Sequence, residues 1–596
     1  MIDERHYSYQ VLTDEEEKLR DEAYSRLRIW ADGCKEIHER AEVARKILLL
    51  QDPYQDPADT PAEKKTLQLQ SLKSTFNNCV ADQIDNVMEA KMMPETLQTQ
   101  DVTDDINDIV RYIYEYNEYQ AMHRLRVEDF IGTGTAITQV MWDDNAAEGK
   151  GEVTFVRVPI ERFLWDPAES DLQSARALMK VSWHPYSWYE QHYPDEAAYI
   201  SCDEHSADAV GEEKNQEELG ADERKAMLVE YWYRLFDSKR NKHTINVAYF
   251  AGRALLYHKK DVYAHGMYPF VVDVHTPIEG LPVGEGMVME LAPMMRYINR
   301  YAHYMDINIR ASAKTRLLIN SSSGIKPEDV ADWNNDIIMG DRIGEEAIRF
   351  MESKPLTSLA LNQMLQMQTD LKQDSGQNQF TRGETAGGVT AATAISALQE
   401  AGGKQTRMRT EVLKRGFKRI TEQVLWLVSQ FYDDDRVMLI TGKDTPKEVD
   451  ASPARLMGRK KKGSIPPPPY TVRVQVERMN PNAISEQNQL FIDAYKMSAE
   501  SGQMFPLSAL FSILNIEGKD KILPIIQNIE NYQQAMQQLQ AQNEQLMQQN
   551  AEQQKSIDGL KDALINSAKQ AASTSQQATG QFEATDLQGG ALQAQE

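Results

Sequence analysis

The stretch 525–564, IIQNIENYQQAMQQLQAQNEQLMQQNAEQQKSIDGLKDAL, is the most regular part of the sequence. Steps of four and three residues place eleven positions on one helix face, as in a heptad repeat. Those positions are Ile529, Tyr532, Met536, Leu539, Asn543, Leu546, Asn550, Gln553, Ile557, Leu560 and Leu564. Most other positions are glutamine, so the stripe is narrow and has to be buried against neighbouring helices. The pattern predicts a helix that associates through a partly polar seam. The following residues, 571–596, are rich in Gln, Ala and Thr and are predicted to be disordered.

The composition restricts the class of protein. A chain of 596 residues is too long for one hydrophobic core. Its net charge of −25 argues against a protein that grips nucleic acid over its whole surface, although DNA could still pass through it. Cys34, Cys79 and Cys202 lie far apart, which is typical of a reducing compartment. The polar N-terminus predicts no signal peptide, and no run of about 18 apolar residues predicts a membrane span.

The first 286 residues combine helices with a block of strands. Thr13 and Glu16 form a capping-box pattern that begins an amphipathic helix extending to Leu50. The other predicted elements are helices at 62–93 and 104–130 and strands at 136–142, 151–158, 177–183, 227–236, 245–250 and 253–257, with a charged insertion at 203–223. Because the strands are grouped rather than alternating with helices, the predicted class is α+β, predominantly helical over the whole chain.

A helix, a small module and a second helix follow. The glycine-rich loop 280–286 precedes a helix predicted at 287–313, and the second helix is predicted at 356–374. A Gly/Thr-rich loop at 376–390 then leads into a helix at 391–432. The later part of that helix carries an apolar stripe made of Leu413, Phe417, Ile420, Val424, Leu427 and Phe431. Alternating valines predict a strand at 470–477.

Catalytic motifs are poorly represented. The segment 383–388 is the nearest approach to a phosphate-binding loop, but no lysine follows it and Glu384 stands where phosphates would lie. The histidines are scattered. His184 and His192 flank aromatic residues, which indicates packing rather than metal ligation. The sequence therefore predicts neither an enzyme nor a cofactor.

Basic residues are concentrated in one part of this acidic chain. They are Arg382, Lys404, Arg407, Arg409, Lys414, Arg415, Lys418 and Arg419, with a second cluster at 459–462. Exposed arginines and lysines can contact DNA phosphates, or they can pair with acidic residues of a neighbouring subunit. The sequence leaves both interpretations open.

The order of these elements resembles that of tailed-bacteriophage portal proteins, particularly the P22-like proteins of short-tailed phages. The resemblance covers about residues 10–570. It rests on Gly132-Thr-Gly134-Thr-Ala leading into Val140-Met-Trp-Asp143, and on Val158-Pro-Ile-Glu-Arg-Phe followed by Asp166-Pro167. It also rests on the helix–module–helix order and on the segment 381–392, TRGETAGGVTAA.

The resemblance implies a portal fold with named parts. These are a wing at 1–286, stem helices at 287–313 and 356–375, a clip at 314–355, a tunnel loop with a long helix returning to the wing at 376–485, a crown at 486–530 and a barrel helix of modest length at 531–570. The implied tunnel-loop and DNA-contacting residues are Arg382, Gly383, Thr385, Gly387, Gly388, Lys404 and Arg407. The implied clip interface contains Ser321, Ser322, Gly324 and Lys326. The barrel seam would be formed by Tyr532, Met536, Leu539, Asn543, Leu546, Asn550, Ile557 and Leu560.

The function implied by the resemblance is physical rather than catalytic. In that family twelve subunits form a ring at one capsid vertex, through which double-stranded DNA is packaged and ejected. The implied partners are the terminase large subunit, the head-to-tail adaptor, and the capsid and scaffolding proteins. The implied location is the virion, after assembly in the host cytoplasm. Two alternatives remain: a coiled-coil scaffold or adaptor without a channel, and an ATP-driven packaging enzyme, which the missing phosphate loop disfavours.

Overall fold

The computed structural model describes most of the chain between Gln10 and Gln576. The described residues are 10–57, 59–61, 64–95, 99–200, 225–238, 241–252, 254–313, 316–331, 336–344, 347–351, 358–377, 403–433, 437–441, 446–458, 465, 467–478, 481–500, 506–514 and 519–576. They divide into two compact units, and the boundary in the chain falls between Asn480 and Pro481. The predicted charged insertion at 203–223 lies outside the described residues.

The first unit contains helices and strands in an α+β arrangement. Its helices are α1 (Asp14–Leu48), α2 (Ser71–Ile84), α3 (Thr103–Tyr116), α4 (Tyr119–Gly132), α5 (Tyr186–His192), α6 (Met287–Ala313), α7 (Pro327–Ala331), α8 (Ser358–Asp374), α9 (Lys404–Phe431) and α10 (Pro453–Met457). Its strands are β1 (Asn86–Pro94), β2 (Thr135–Asp143), β3 (Glu152–Val158), β4 (Phe163–Trp165), β5 (Ala177–Pro185), β6 (Lys225–Asp237), β7 (Lys242–Ala251), β8 (Ala254–Lys259), β9 (Phe270–Val274), β10 (Thr276–Pro277), β11 (Gly284–Glu285), β12 (Arg316–Ile319), β13 (Ile348–Met351), β14 (Val437–Thr441), β15 (Pro446–Asp450) and β16 (Tyr470–Arg478). The predicted class, α+β and mainly helical, is confirmed.

Two antiparallel sheets form the centre of this unit. One has five strands in the order β4-β5-β6-β7-β8, and the other has three in the order β3-β2-β9. The structure contains a strand at each position predicted in this region, and the predicted hairpin of 136–142 and 151–158 is formed by β2 and β3. Helix α1 begins with the predicted capping box, in which Thr13 and Glu16 bond each other reciprocally. It packs against the five-stranded sheet, where His38 Nε2 lies 3.1 Å from the Phe163 carbonyl oxygen. Its last residue is Leu48 rather than the predicted Leu50.

The predicted helix at 62–93 is wrong at both ends, since α2 begins at Ser71. Helix α2 ends at Ile84, and β1 begins two residues later. Strand β1 pairs antiparallel with β16, so that Asn86 lies opposite Arg478 and Pro94 opposite Tyr470. The alternating valines of β16 supply the apolar face that makes this pairing stable. A partner so distant in the sequence overrides the helical pattern of residues 86–93.

The helix predicted at 104–130 is two helices. Helix α3 ends at Tyr116, and Glu118 adopts a left-handed conformation with φ of 46° before α4 begins. Asn117 stabilises the break, since its side-chain amide donates to the Val153 carbonyl at 2.8 Å and accepts from the Phe155 N–H at 3.0 Å. This asparagine therefore ties the helix break to the edge strand β3.

The second unit consists of helices. They are α11 (Pro481–Glu500), α12 (Leu507–Ile513) and α13 (Lys519–Gln576). Helix α13 has 58 residues, about 87 Å at the usual rise per residue, so it is longer than the modest helix predicted at 531–570. Residues 571–576, predicted to be disordered, are helical, and 577–596 lie outside the described residues.

Candidate functional site

Helices α6 and α8 form a pair that leads away from the sheets and back. The predicted helix at 287–313 has the observed bounds of α6, and α8 ends at Asp374, where the second helix was predicted to end. Met287, Leu291 and Ile298 of α6 belong to the same buried cluster as Leu371 of α8. Farther along, both helices carry exposed apolar side chains, namely Tyr304, Ile307 and Ile309 on α6 and Leu359, Leu361 and Leu365 on α8.

Two glycine-containing segments cross at the beginning of α6. Gly134, whose φ is +90°, lies against the backbone of Glu285 and Gly286, and a β-carbon there would be 2.3 Å from the Glu285 carbonyl carbon. A β-carbon on Gly286 would be 2.1 Å from the Gly132 carbonyl oxygen. Only glycine allows two backbones to approach so closely. The Gly132–Gly134 motif therefore fixes where α6 leaves the sheet region.

The residues predicted for the clip interface form a tight turn between β12 and α7. The Asn320 side chain accepts hydrogen bonds from the Ser322 N–H at 3.1 Å and from its hydroxyl at 2.9 Å. Ser321 begins this turn, and Gly324 closes it with φ of +72°. Lys326 is exposed immediately before α7. The structure thus brings these four residues together, and the Ser322 hydroxyl is used to build the turn.

An exposed apolar segment packs on the same turn. The Asp341 N–H donates to the Ser323 carbonyl at 2.9 Å, which holds residues 336–344 in place. Ile337, Ile338 and Met339 nevertheless point outward, and Met339 is 76% exposed. Contiguous exposed apolar side chains usually mark a surface that another chain covers. This surface was not predicted from the sequence, although three consecutive large apolar residues in a turn-rich module could have indicated it.

Only two of the predicted tunnel-loop residues lie in the part of the chain that the structure describes. Arg382, Gly383, Thr385, Gly387 and Gly388 lie outside the described residues. Lys404 and Arg407 lie in the first turn of α9, and both side chains are exposed.

The structure corrects the interpretation of the basic cluster. Arg409 is buried, so it is no candidate for contact with DNA or with another subunit. Lys414 pairs with Glu411 at 3.5 Å, and Lys418 pairs with Glu422 at 3.7 Å. Arg415 and Arg419 are exposed and form no ion pair with another described residue. The exposed positive charge of α9 is therefore smaller than the sequence indicates.

A buried ion pair lies beneath the middle of α9. Arg126 Nη2 is 2.6 Å from Asp273 Oδ2, and each side chain is only 2% exposed. Arg126 also donates to the Tyr119 hydroxyl at 2.7 Å and to the Leu413 carbonyl at 3.0 Å. Burial opposes the charge of Arg126, but Asp273 and Tyr119 raise the pKa of the guanidinium above its ordinary value. This pair joins α4, β9 and α9, and nothing in the sequence pattern singled it out.

The predicted seam of the C-terminal helix lies on the surface of the single chain. The side chains of Tyr532, Met536, Leu539, Asn543, Leu546, Asn550, Ile557 and Leu560 are all exposed on α13. Tyr532 is 75% exposed, which is unusual for a large aromatic side chain in a regular helix. The arrangement leaves an apolar stripe on the surface of the helix.

Histidines and carboxylates do not converge on a metal site in the part of the chain that the structure describes. Within those ranges, no group of three or more His, Cys, Asp or Glu side chains is placed to hold a metal ion. His184 and His192 stack on Trp188, with ring centroids 4.0 and 4.2 Å apart, in agreement with the packing interpretation. No helix among the described residues is both long enough and apolar enough to cross a bilayer.

Each unit carries exposed apolar side chains: in the first unit they lie on α6, α8 and the turn module, and in the second unit they lie on α13. They define the class of protein: a subunit whose surfaces are suited to burial in a larger assembly. The sequence matches the family of phage P22-like portal proteins over residues 16–583. Because the match covers most of the chain, this protein belongs to that family. No curated protein matches it.

Proposed function

We propose that the protein is the subunit of a ring at the unique capsid vertex, which forms the channel for DNA packaging and ejection. Membership of the P22-like portal family supports this function. The structural observation that carries it is the apolar surface of α6 and α8, where Tyr304, Ile309 and Leu359 are each more than half exposed in the single chain. Removing such side chains from water stabilises an assembly by about 1.5 to 3 kcal/mol for each one fully buried.

A ring is the form of assembly that best accounts for such surfaces. When one face of a subunit binds a different face of the next, the contacts close into a ring if the rotation between subunits divides a full turn. We infer twelve subunits from the resemblance to portal proteins. In this ring α6 and α8 would be the stem, the preceding residues 1–286 would form the wing, and α13 would contribute to a barrel.

The module between the two stem helices would be the clip. Its exposed residues Ile337, Ile338 and Met339 lie next to the turn that contains Ser321 and Gly324. We infer that this end of the ring binds the head-to-tail adaptor and, during packaging, the terminase large subunit. Capsid and scaffolding proteins would surround the ring in the virion, after assembly in the host cytoplasm.

The channel function requires a surface that DNA passes without sticking. The net charge of −25 favours this, because acidic surfaces repel phosphates. Terminase would hydrolyse ATP, so the ring would guide DNA and transmit force without catalysis. Arg382 is the first candidate for phosphate contact, with Lys404 and Arg407 following it in the sequence.

Electron microscopy of the purified full-length chain tests the assembly. Rings with a central hole are expected, whereas rods without a hole would support a coiled-coil scaffold or adaptor instead. ATP turnover by the isolated chain would support a packaging enzyme and contradict the proposal. The variant Arg382→Ala is expected to form normal rings and to change the amount of DNA packaged or retained. Failure of this variant to assemble would instead assign Arg382 a structural role.

A further inference from the structure

Arg409 lies where four elements of the first unit meet. Its side chain extends from α9 and is almost completely buried. Nη2 donates to the carbonyl oxygen of Ser375, just after α8, at 3.1 Å, and lies 3.7 Å from Met287 Sδ at the start of α6. Nε donates to His275 Nε2, in the segment between β9 and β10, at 3.1 Å. One guanidinium thus contacts both ends of the helix pair that are nearest the sheets.

The charge of Arg409 is stabilised without a carboxylate in direct contact. Arg409 forms no ion pair with any residue in the described ranges. Ser375 belongs to the turn that ends α8, and the carbonyl groups at a helix C-terminus carry partial negative charge that favours a cation. His275 accepts through Nε2, so its proton is on Nδ1. Burial, together with Arg409, lowers the pKa of His275 to about 4, which keeps the imidazole neutral.

A buried arginine is a costly way to fill space. An apolar side chain of similar length would avoid the desolvation of the charge, which is why buried ion sites contribute little to stability overall. The planar guanidinium instead contributes specificity. Its donors point in fixed directions and fit one arrangement of acceptors. A shift of α8 or α6 against α9 would leave this buried charge without its partners.

The residues on both sides of the segment 378–402 form hydrogen bonds with α2. On one side Gly376, with φ of +86°, closes the end of α8, and the Gln377 amide donates to Asp82 Oδ2 at 2.5 Å. On the other side the Gln83 amide donates to the Thr406 carbonyl at 3.1 Å and accepts from the Thr410 hydroxyl at 2.9 Å. Arg409 joins these two sides directly to each other and to α6.

We propose that Arg409 is a positioning residue that fixes the ends of α6 and α8 relative to α9, and so fixes where the chain enters and leaves the segment 378–402. The positioning role depends only on the first unit. Its consequence for DNA rests on the proposed function, in which 378–402 contains the tunnel loop. Arg409 would then keep the two ends of that loop in a fixed position relative to the stem helices while DNA moves through the channel.

Hydrogen–deuterium exchange of the full-length chain tests the proposal. Arg409→Met removes the charge and the directed donors but keeps much of the volume, and Arg409→Lys keeps the charge with one flexible donor group. Glu411→Met, an exposed position on the same helix, is the matched control. Backbone amides in 371–377 and 286–291 are expected to exchange about tenfold faster in Arg409→Met and at an intermediate rate in Arg409→Lys, and to exchange at the unaltered rate in Glu411→Met.

Two results would overturn the positioning role. One is unchanged exchange in both Arg409 variants. The other is acceleration that is equally large in β6 and β7, because that would indicate general destabilisation. If Arg409→Met does not fold, the same comparison is made with Arg409→Lys. A local increase in exchange with unchanged DNA content in assembled particles would support the positioning role and would count against the proposed channel function.

Discussion

Gly416 lies directly over the carboxylate of Asp273, and a β-carbon at position 416 would be only 1.8 Å from Asp273 Oδ1. The same β-carbon would be 2.3 Å from Arg126 Nη2. The absence of a side chain in the middle of α9 therefore creates the space in which the buried ion pair forms. A glycine that would weaken an isolated helix is here required by the packing beneath it.

Gly416→Ala is expected to lower the free energy of unfolding of the first unit by about 3 kcal/mol or more, because the methyl group displaces a buried ion pair. Urea unfolding followed by tryptophan fluorescence measures the change. Gly344→Ala is the matched control, since Gly344 also lies in the first unit but a β-carbon there would have no neighbouring atom within 4 Å. That control is expected to be neutral or stabilising by up to about 1 kcal/mol. Equal effects of both substitutions would contradict the packing argument.

The ion pair itself gives a second prediction. Asp273→Asn leaves Arg126 buried without a counter-charge and is expected to cost about 3 to 5 kcal/mol of stability. The double variant Arg126→Met/Asp273→Leu removes both charges and is expected to be more stable than Asp273→Asn. Unfolding midpoints of the single and double variants provide the measurement. A double variant as unstable as the sum of Arg126→Met and Asp273→Leu, each measured alone, would show that the pairing contributes no coupling.

The glycine crossing at the start of α6 gives a third prediction. Gly134→Ala combines a positive φ with overlap against the Glu285 backbone, and is expected to cost about 3 kcal/mol or more. Gly280→Ala is the control, because Gly280 has φ of +80° but open space around it, and about 1 kcal/mol is expected from the backbone conformation alone. Thermal unfolding of both variants tests this difference. Similar losses would mean that the close approach of the two backbones is unimportant.

A buried histidine gives a prediction about pH. Neither ring nitrogen of His123 has a hydrogen-bond partner in the described structure, and burial, followed by the charge of Arg126, lowers its pKa to about 3. In the unfolded chain a histidine has a pKa near 6.5, so between about pH 6.5 and 3 the unfolded state binds a proton that the folded state does not. The free energy of unfolding is therefore highest at neutral pH, and it decreases as the pH falls below about 6.5.

His123→Leu is expected to raise stability by about 1 to 2 kcal/mol at pH 7, since it removes a buried polar group without partners, and by more at pH 5. Urea unfolding at the two pH values measures both effects. His243→Gln, at an exposed position, is the control and is expected to leave the pH dependence unchanged. A His123→Leu variant with the same loss of stability on acidification would contradict the assignment.

Local signals in the sequence predicted the parts of the fold that depend on nearby residues. The Thr13 capping box and the bounds of α6 are examples, because caps and helical periodicity act within a few residues. The pairing of β1 with β16 could not be predicted, since its stabilising partner is distant in the chain. The predicted seam of α13 remains a prediction, as a single chain contains no neighbouring copy of the helix.

The candidate site was predicted less completely than the fold. Arg409 lies one helical turn before Leu413, on the buried stripe of α9, and this spacing was the signal that its environment differs from that of its basic neighbours. The sequence prediction considered charge alone, so it grouped Arg409 with the exposed basic residues. The Arg126–Asp273 pair joins residues from two distant segments, so its existence depends on the tertiary fold and not on any local pattern.

The seam of α13 gives the last prediction. Leu546 is 55% exposed in the single chain and occupies a central seam position, so the proposed ring should bury it against neighbouring copies. Leu546→Gln is expected to weaken the association of the C-terminal helices by about 1.5 to 3 kcal/mol per subunit. Asn543→Leu should strengthen it, because an apolar residue replaces a polar one at the seam.

Gln548→Ala, exposed and off the seam, is the control. Exchange of amides in 531–570 of the assembled protein reports the change: faster for Leu546→Gln, slower for Asn543→Leu, and unchanged for Gln548→Ala. Equal exchange in all three variants would show that this face of the helix is not an interface between subunits.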